Sequence, residues 1–203
     1  MYLHRPTLLA RKLYSKALWR VSTSEKKIFL TFDDGPIPEV TPWVLDTLKK
    51  YNVKAMFFCV GENIMRHPEI YQRILAEGHQ TGNHTYNHRR GWRTTTEDYI
   101  DNVKKCEDLV QSNFFRPPYG EMKFSQISVL RSQFSIVMWD VLSGDFDRTL
   151  SKEKCLANSI RYTREGSVIV FHDSIRAEKN LRYVLPKYIE YFLEKGFVFG
   201  KLP

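Results

Sequence analysis

An apolar segment that ends in two adjacent aspartates most constrains the fold of this chain. Residues 27–36 read KIFLTFDDGP. Their β-branched and aromatic side chains favour a buried strand, which Gly35-Pro36 ends because proline has no amide donor. Asp33 and Asp34 are therefore predicted at the carboxyl end of this strand, where α/β folds place their chemistry. A solvated turn is the alternative interpretation, since Asp-Gly and Gly-Pro are common turn formers.

Further apolar strands follow, and helices with three- and four-residue apolar spacing separate them. The strands are predicted at residues 53–60, 80–82, 136–141, 168–171 and 197–199. Helices are predicted to begin after Thr94 or Thr95 and after Ser151, because these hydroxyls can cap a first turn. Strand and helix alternate about seven times, which indicates a mainly parallel sheet. The pattern leaves open whether the sheet closes into a barrel, but the polar segment after each strand should reach one rim.

Residues 1–26 are predicted to be an extension and residues 27–203 the catalytic domain. Within the extension, residues 7–20 mix leucines and a tryptophan with arginines and lysines. An amphipathic helix packed on the domain's own core is the favoured interpretation. The alternative is an interfacial helix on an anionic leaflet, with weak association at the membrane surface.

Composition narrows the class of protein. The 203 residues carry a net charge of +8, which favours attraction to anionic surfaces. No nucleic-acid-binding signature accompanies this charge, so nucleic acid is not predicted as a partner. Cys59, Cys106 and Cys155 are odd in number and are predicted to be reduced, packed thiols. Neither a cleavable signal nor an integral membrane segment is evident, which predicts a cytoplasmic or peripheral membrane location.

Two histidines in one polar segment are candidate metal ligands. His84 and His88 are four residues apart, a spacing that permits both imidazoles to bind one ion. Thr85 stands where the zincin signature requires glutamate, so a metalloprotease motif is excluded. With an aspartate from a neighbouring strand end, the pair forms a two-histidine, one-carboxylate set. Such a set leaves positions open for water and substrate.

Three further polar residues are candidates for supporting roles. Arg116 precedes two prolines that stiffen the backbone. It is expected either to cap carbonyls or to orient a catalytic carboxylate. His172 follows a buried strand and is either a core histidine or a titrating group, and Asp145 is a candidate to hold it.

Five segments in order resemble the five motifs of the polysaccharide deacetylases with a NodB-homology domain, carbohydrate esterase family 4. The segments are residues 31–36 (TFDDGP), 84–88 (HTYNH), 116–119 (RPPY), 143–146 (SGDF) and 170–172 (VFH). The resemblance implies an α/β fold, a deformed (β/α) barrel with about seven parallel strands. It also implies a hydrolase of linear amides that uses a metal to remove N-acetyl or O-acetyl groups from glycans.

The resemblance assigns the central residues by position. Asp34, His84 and His88 would bind one divalent metal, most often zinc, with cobalt, nickel or manganese tolerated. Asp33 would be the general base and His172 the general acid.

It also assigns the residues that support them. Arg116 should pair with Asp33 and orient it, while Asp145 should pair with His172 and tune it. The backbone N–H of Tyr119 would complete the oxyanion hole.

The substrate pocket is expected to include Phe146, Val170, Pro117 and Pro118. The family's fourth motif usually begins with aspartate and ends with tryptophan, but this chain has Leu142 and Phe146 at those places. The replacements at Leu142 and Phe146 are expected to affect which acyl group or sugar the protein prefers.

The predicted substrate is an acetylated glycan such as a chitooligosaccharide or the N-acetylglucosamine of peptidoglycan. A catalytically inactive glycan-binding domain on the same fold is the alternative, and it predicts that a ligand, base or acid is lost. A metal phosphoesterase would need more carboxylate ligands and a phosphate cradle, which the sequence lacks.

Overall fold

A sheet of eight short strands forms the centre of the molecule. The computed structural model describes residues 3–203, and every pair of named strands in that range is parallel. The strand order is β5-β4-β3-β2-β1-β7-β6, and β8 pairs with the start of β1. The strands are β1 (Lys27–Asp33), β2 (Met56–Cys59), β3 (Gln80–Asn83), β4 (Phe114–Phe115), β5 (Ser135–Ile136), β6 (Val141–Leu142), β7 (Val168–His172) and β8 (Val198–Phe199).

Eight α-helices alternate with the strands, and the seven-strand path curls into an open half-barrel, so the predicted deformed barrel is confirmed. Thr95 and Ser151 cap α5 and α7, as the sequence predicts. The three cysteines are buried and unpaired, also as expected. The helices are α1 (Leu8–Leu13), α2 (Thr41–Lys50), α3 (Gly61–Arg66), α4 (Pro68–Ala76), α5 (Thr96–Val110), α6 (Phe124–Leu130), α7 (Lys152–Tyr162) and α8 (Glu178–Glu194).

Strand β1 shows how the sequence positions the two aspartates. Alternate side chains point to opposite faces of a strand. Phe32 packs in the core between sheet and helices, whereas Phe29 packs in the separate cluster that fills the barrel interior. Asp33 has the same parity as Phe29 and contacts residues of the interior, while Asp34 lies just beyond the strand. The two carboxylates therefore occupy different environments, as alternation predicts.

The prediction of one strand at residues 136–141 is wrong. The structure has two short strands there, β5 beside β4 and β6 beside β7, at opposite ends of the sheet. Between them, the carbonyls of Val137 and Met138 accept hydrogen bonds from the buried Arg116 side chain. The N–H groups of Val137 and Met138 donate to the carbonyls of Phe115 and Leu18, so the middle of this segment bonds to β4, to the N-terminal segment and to the Arg116 guanidinium. Helix α3 is a further element that the sequence prediction missed.

The N-terminal segment spans the gap between the two edge strands. Leu18 forms a parallel bridge with Val137, which follows β5. At the other edge, the N–H of Leu142 in β6 donates to the carbonyl of His4 (2.8 Å). Backbone groups that an open barrel would leave unpaired at its edges are thus partly satisfied by the chain's own extension.

The buried carboxylate of Asp140 binds two arginines of the N-terminal segment. Asp140 is fully buried and accepts a hydrogen bond from Ser167 Oγ (2.7 Å) and another from Arg11. Its carboxylate also lies 3.6 Å from the guanidinium of Arg5 and 3.5 Å from that of Arg164. Burial alone would raise the pKa of Asp140, but these hydrogen bonds and cations lower it below its usual value.

Asp140→Asn is expected to destabilise the fold by about 2 kcal/mol, because it removes charge-assisted hydrogen bonds inside the protein. Because folding lowers the pKa of Asp140, its carboxylate stabilises the folded state at pH values above the ordinary carboxyl pKa of 3.8. The difference between wild type and variant should therefore narrow as pH falls below that value. Urea unfolding of both proteins at several pH values measures this difference in the free energy of unfolding. Asp46→Asn, at an exposed ion pair with Arg73, is the control and should have little effect on stability. Equal losses of unfolding free energy in the Asp140 and Asp46 variants would contradict the prediction.

The predicted helix over residues 7–20 is only partly present. Helix α1 covers Leu8–Leu13 and buries none of its residues, so the buried contacts of residues 7–20 come from residues that follow the helix. Tyr14 and Trp19, which follow it, are the buried side chains of this region. Within residues 3–203, no helix is long and apolar enough to cross a membrane.

Candidate active site

The predicted polar motifs converge on one rim of the barrel. In the register of the sheet, Asp33 at the end of β1 is aligned with His172 at the end of β7. Asn83, which precedes His84, is aligned with Phe115, which precedes Arg116. The carboxyl ends of four parallel strands therefore bring these side chains together, as the sequence indicates.

Arg116 and Asp33 form a buried ion pair. Arg116 Nη1 donates to Asp33 Oδ1 and to Thr31 Oγ1, both at 2.7 Å. Its Nε and Nη2 donate to the carbonyls of Val137 (3.2 Å) and Met138 (2.8 Å). Burial lowers the pKa of Arg116, and the Asp33 carboxylate opposes this effect. The arginine thus does both things considered for it, since it caps carbonyls and fixes the position of Asp33.

Asp34, His84 and His88 form a cluster of possible metal ligands. Their ligand atoms all lie within 4.8 Å of one another. Asp34 Oδ1 is 3.2 Å from His88 Nε2 and 3.9 Å from His84 Nε2. His84 Nδ1 donates to the carbonyl of Arg116 (2.8 Å), and since a carbonyl only accepts, its Nε2 carries the lone pair.

The electrostatics of this cluster suit a divalent cation. Burial lowers the pKa of His84 to about 4, so this imidazole is neutral at pH 7. Burial would raise the pKa of Asp34, but the hydrogen bond to His88 and the surrounding imidazoles hold it well below its usual range. Two imidazole nitrogens and one carboxylate are a ligand set that zinc accepts in catalytic sites, with room for another ligand. The residues present therefore fit one divalent metal.

Unusual backbone conformations concentrate at this rim. Asp34, Thr85, His88 and Tyr119 have positive φ angles of 89°, 63°, 55° and 60°. Such angles are costly for residues with a Cβ and persist only where the surroundings hold them. One such restraint is Asn63, whose Nδ2 donates to the carbonyl of Asp34 (2.7 Å).

His172 and Asp145 form the second pair. His172 Nδ1 donates to Asp145 Oδ1, and the His172 backbone N–H donates to Oδ2, both at 2.8 Å. Asn180 Nδ2 donates to the Asp145 carbonyl (3.2 Å) and holds this loop. Burial would lower the pKa of His172, but the charge and hydrogen bond of Asp145 override it and raise the pKa to about 9. His172 is therefore a cation at neutral pH and has a proton to give.

Asp145→Asn is expected to lower the pKa of His172, because it removes the carboxylate that raises it. A general acid must be protonated, so activity should decline as pH rises through that pKa. The alkaline limb of kcat/KM on an amide substrate should then move to lower pH in the variant. Asp147→Asn, on the same loop, is the matched control and should leave the limb in place. An alkaline limb that is unchanged in Asp145→Asn would contradict the assignment.

An aromatic ring lies beside each of two histidines. The Phe146 ring is 5.0 Å from the His172 ring and perpendicular to it. The exposed Tyr119 ring is 4.7 Å from the His88 ring, and the guanidinium of Arg90 lies 3.6 Å from the Tyr119 centroid. The site is thus bordered by apolar surface that suits a sugar or an acetyl methyl.

The other predicted pocket residues lie deeper. Val170, Pro117 and Pro118 are buried, with Val170 two residues before His172 in β7. Leu142 is buried, and His4 Nδ1 donates to its carbonyl (2.9 Å). A pocket of about 250 Å³ adjoins the metal-ligand cluster. It is lined by Asp34, Ile37, Val60, Glu62, Asn63, Asn87 and His88.

Asp173 is a site residue to which the sequence prediction gave no role. Its carboxylate accepts from Gly35 N–H (3.1 Å) and Thr41 Oγ1 (2.6 Å), and its own N–H donates to the Asp33 carbonyl (3.1 Å). A Cβ at Gly35 would collide with this carboxylate, so glycine is required there. Burial raises the pKa of Asp173 to about 8, and Asp34 adds to the shift. Asp173 thus joins the strand that carries His172 to the turn that carries both site aspartates.

The sequence profile of the polysaccharide deacetylase family matches residues 20–133, more than half of the chain. The chain belongs to this family. The matched residues include Asp33, Asp34, His84, His88 and Arg116, whereas Asp145 and His172 lie beyond them.

Two relatives illustrate the range of this family. A peptidoglycan-N-acetylglucosamine deacetylase of Bacillus cereus is 39% identical over 158 residues, which are 74% of this chain. This chain spans 57% of the length of that relative. A chitooligosaccharide deacetylase of Azorhizobium caulinodans is 29% identical, with 91% of this chain and 96% of that protein covered.

A solved structure matches over nearly the whole polysaccharide deacetylase chain. It is a peptidoglycan N-acetylglucosamine deacetylase in complex with 4-naphthalen-1-yl-N-oxidanyl-benzamide. The TM-score is 0.89 at 33% sequence identity, and 98% of this chain and 96% of that chain are covered. The similarity therefore includes the N-terminal segment as well as the barrel.

Proposed function

We propose that this chain is a metal-dependent hydrolase that removes acetyl groups from N-acetylglucosamine residues of a glycan. The observation that carries the proposal is the joint presence, on one rim, of a metal-ligand cluster, a carboxylate oriented by arginine and a histidine held by aspartate. Each of these pairs or clusters also occurs alone in other kinds of site. Together they offer a candidate for every role that amide hydrolysis requires.

Asp34, His84 and His88 would hold the metal. When bound, a divalent ion supplies Lewis acidity, which polarises an acetamide carbonyl and makes water more acidic. Zinc is the best match for this ligand set, and cobalt, nickel or manganese are compatible with it. His84 is fixed for this role by the bond from its Nδ1 to the Arg116 carbonyl.

Asp33 would act as the general base. It would accept a proton from water as that water attacks the acetyl carbonyl carbon. The ion pair with Arg116 keeps its carboxylate oriented. Asp33 is nearly buried, so bulk water does not screen this interaction.

His172 would act as the general acid. It would donate a proton to the sugar nitrogen as the carbon–nitrogen bond breaks, since an amine anion is a poor leaving group. Asp145 keeps His172 protonated until then and binds Nδ1, so that Nε2 is the nitrogen that gives the proton.

Backbone and apolar groups would complete the site. The Tyr119 N–H, in a turn with positive φ, is proposed to donate to the developing oxyanion. Phe146 would contact the acetyl methyl with a smaller side chain than the family's usual tryptophan, so its pocket has more room. Pro117, Pro118 and Val170 would form the floor beneath the substrate.

The proposed substrate is N-acetylglucosamine in peptidoglycan or in chitin-like oligosaccharides. Relatives with this fold carry both names, and the solved relative that matches 98% of this chain is a peptidoglycan deacetylase. An inactive glycan-binding domain remains the rival proposal. It predicts that at least one ligand, base or acid is missing, whereas this chain has a candidate residue for each of these proposed roles.

Acetate release from acetylated chitooligosaccharide and from purified peptidoglycan tests the proposal. The zinc-loaded protein should release acetate and produce one new primary amine for each acetate. Binding to either glycan without acetate release would favour the inactive domain. Release of acetate without new amines would show O-deacetylation instead.

A further inference from the structure

Helix α1 is amphipathic, but its apolar face points outward. Leu8 and Leu9 are 86% and 76% exposed, and Leu13 is also exposed. The basic residue Arg11 instead turns inward and bonds to the buried carboxylate of Asp140. A surface helix normally buries its apolar face and exposes its charges. Here the leucines are exposed beside Lys12, and nothing in the described part of this chain covers them.

The helix is held in this orientation from both ends. At its start, the Thr7 hydroxyl accepts from the N–H of Ala10 (3.1 Å) and caps the helix. Beyond its end, Tyr14 is buried and its hydroxyl donates to the carbonyl of Met122 (3.0 Å). With the bond from Arg11 to Asp140, these contacts fix which face meets solvent. The exposed leucines are therefore presented by the fold, not left by a loose terminus.

A groove of about 650 Å³ adjoins the helix, and its walls combine apolar side chains with serines and two cations. It runs between the end of α1 and helix α6, and the exposed ring of Phe124 stands at its edge. Of the lining residues within 3–203, only Lys16 and Arg131 are charged, and both are cations. The groove extends the exposed apolar surface of α1 across a second helix.

The N-terminal segment that contains α1 has basic but no acidic residues before Glu25. The first acidic residue of the chain is Glu25, and five basic residues precede it: Arg5, Arg11, Lys12, Lys16 and Arg20. We propose that α1 and the adjoining groove form a docking surface for an anionic lipid bilayer. The leucines and Phe124 would enter the headgroup boundary, and Lys12, Lys16 and Arg131 would contact acidic headgroups. A second copy of this chain fits less well, because a symmetric interface would place these cations against one another.

Both apolar and charged groups should contribute to binding. The leucines would contribute by removing apolar surface from water, and the basic residues by their attraction to the anionic leaflet. One short helix is a weak anchor by itself, so binding should be reversible and should weaken as salt screens the cations.

Co-sedimentation with lipid vesicles tests the proposal. The 203-residue chain should bind vesicles rich in phosphatidylglycerol and bind phosphatidylcholine vesicles much less. Leu8→Gln/Leu9→Gln should reduce the partition coefficient at least tenfold, while glutamine keeps the helix propensity. The matched control is Leu75→Gln/Leu193→Gln, at leucines that are 41% and 40% exposed on other helices. The control should bind as the wild type does.

Three outcomes would overturn the proposal. The first is no binding to anionic vesicles, and the second is equal loss in the Leu8/Leu9 variant and the control. The third is a dimer in sedimentation equilibrium that the Leu8/Leu9 variant dissociates, which would assign the face to a second copy. Circular dichroism of each variant verifies the fold, and acetate release from a soluble oligosaccharide reports on the active site separately.

Discussion

His84→Ala is expected to lose its metal and its acetate release while the protein stays folded. His84 is one of the three proposed ligands, and the remaining pair, Asp34 and His88, is too small a set for firm binding. Loss of Lewis acidity is worth several kcal/mol, so kcat/KM should fall by a factor on the order of 10³ or more. Elemental analysis of the purified variant, beside its circular dichroism spectrum, measures both parts of the expectation.

A second histidine provides the control. His67 precedes the first residue of α4 without a side-chain capping bond, is partly exposed and is absent from the metal-ligand cluster. His67→Ala should keep one metal per chain and wild-type activity. If the purified His84→Ala variant still held one metal per chain, the assignment of His84 as a metal ligand would be wrong.

His172→Ala is expected to slow amide hydrolysis far more than hydrolysis of an activated ester. Loss of a general acid typically costs a factor on the order of 10²–10⁴. A sugar amine needs that proton to leave, whereas p-nitrophenolate leaves without it. Turnover of N-acetylated oligosaccharide should therefore fall by this factor, and turnover of p-nitrophenyl acetate should fall much less.

Asp33→Asn is the matched comparison, because water must be activated for both substrates. Asparagine keeps an oxygen that can accept from Arg116 Nη1, so the buried arginine retains a partner. Both activities should fall together in this variant while metal content is unchanged. Equal losses on amide and ester in His172→Ala, with metal retained, would mean that His172 orients the site and gives no proton.

Much of the fold and of the site was predictable because the deciding interactions are local. The caps at Thr95 and Ser151 depend on neighbouring residues, and the apolar run before Asp33 specifies a strand by itself. Each motif follows such a strand, so parallel pairing alone brings Asp33, His84 and His172 to one rim.

The errors arise where distant residues decide the structure. The apolar segment 136–141 is divided between the two ends of the sheet, and its middle bonds to Phe115, Leu18 and Arg116, partners that periodicity does not report. Helix α1 turns its leucines outward because Arg11 bonds to Asp140, which lies far along the chain. Asp173 was visible beside His172, but its role depends on Gly35 and Thr41, which only the folded chain brings near.

The most direct test of the central claim is acetate release by the wild-type protein before and after its metal is removed. Protein stripped with a chelator should release no acetate from acetylated chitooligosaccharide. One equivalent of zinc per chain should restore release, and further zinc should add nothing, since Asp34, His84 and His88 form a single cluster. Undiminished acetate release by fully stripped protein would contradict metal-dependent deacetylation at this rim.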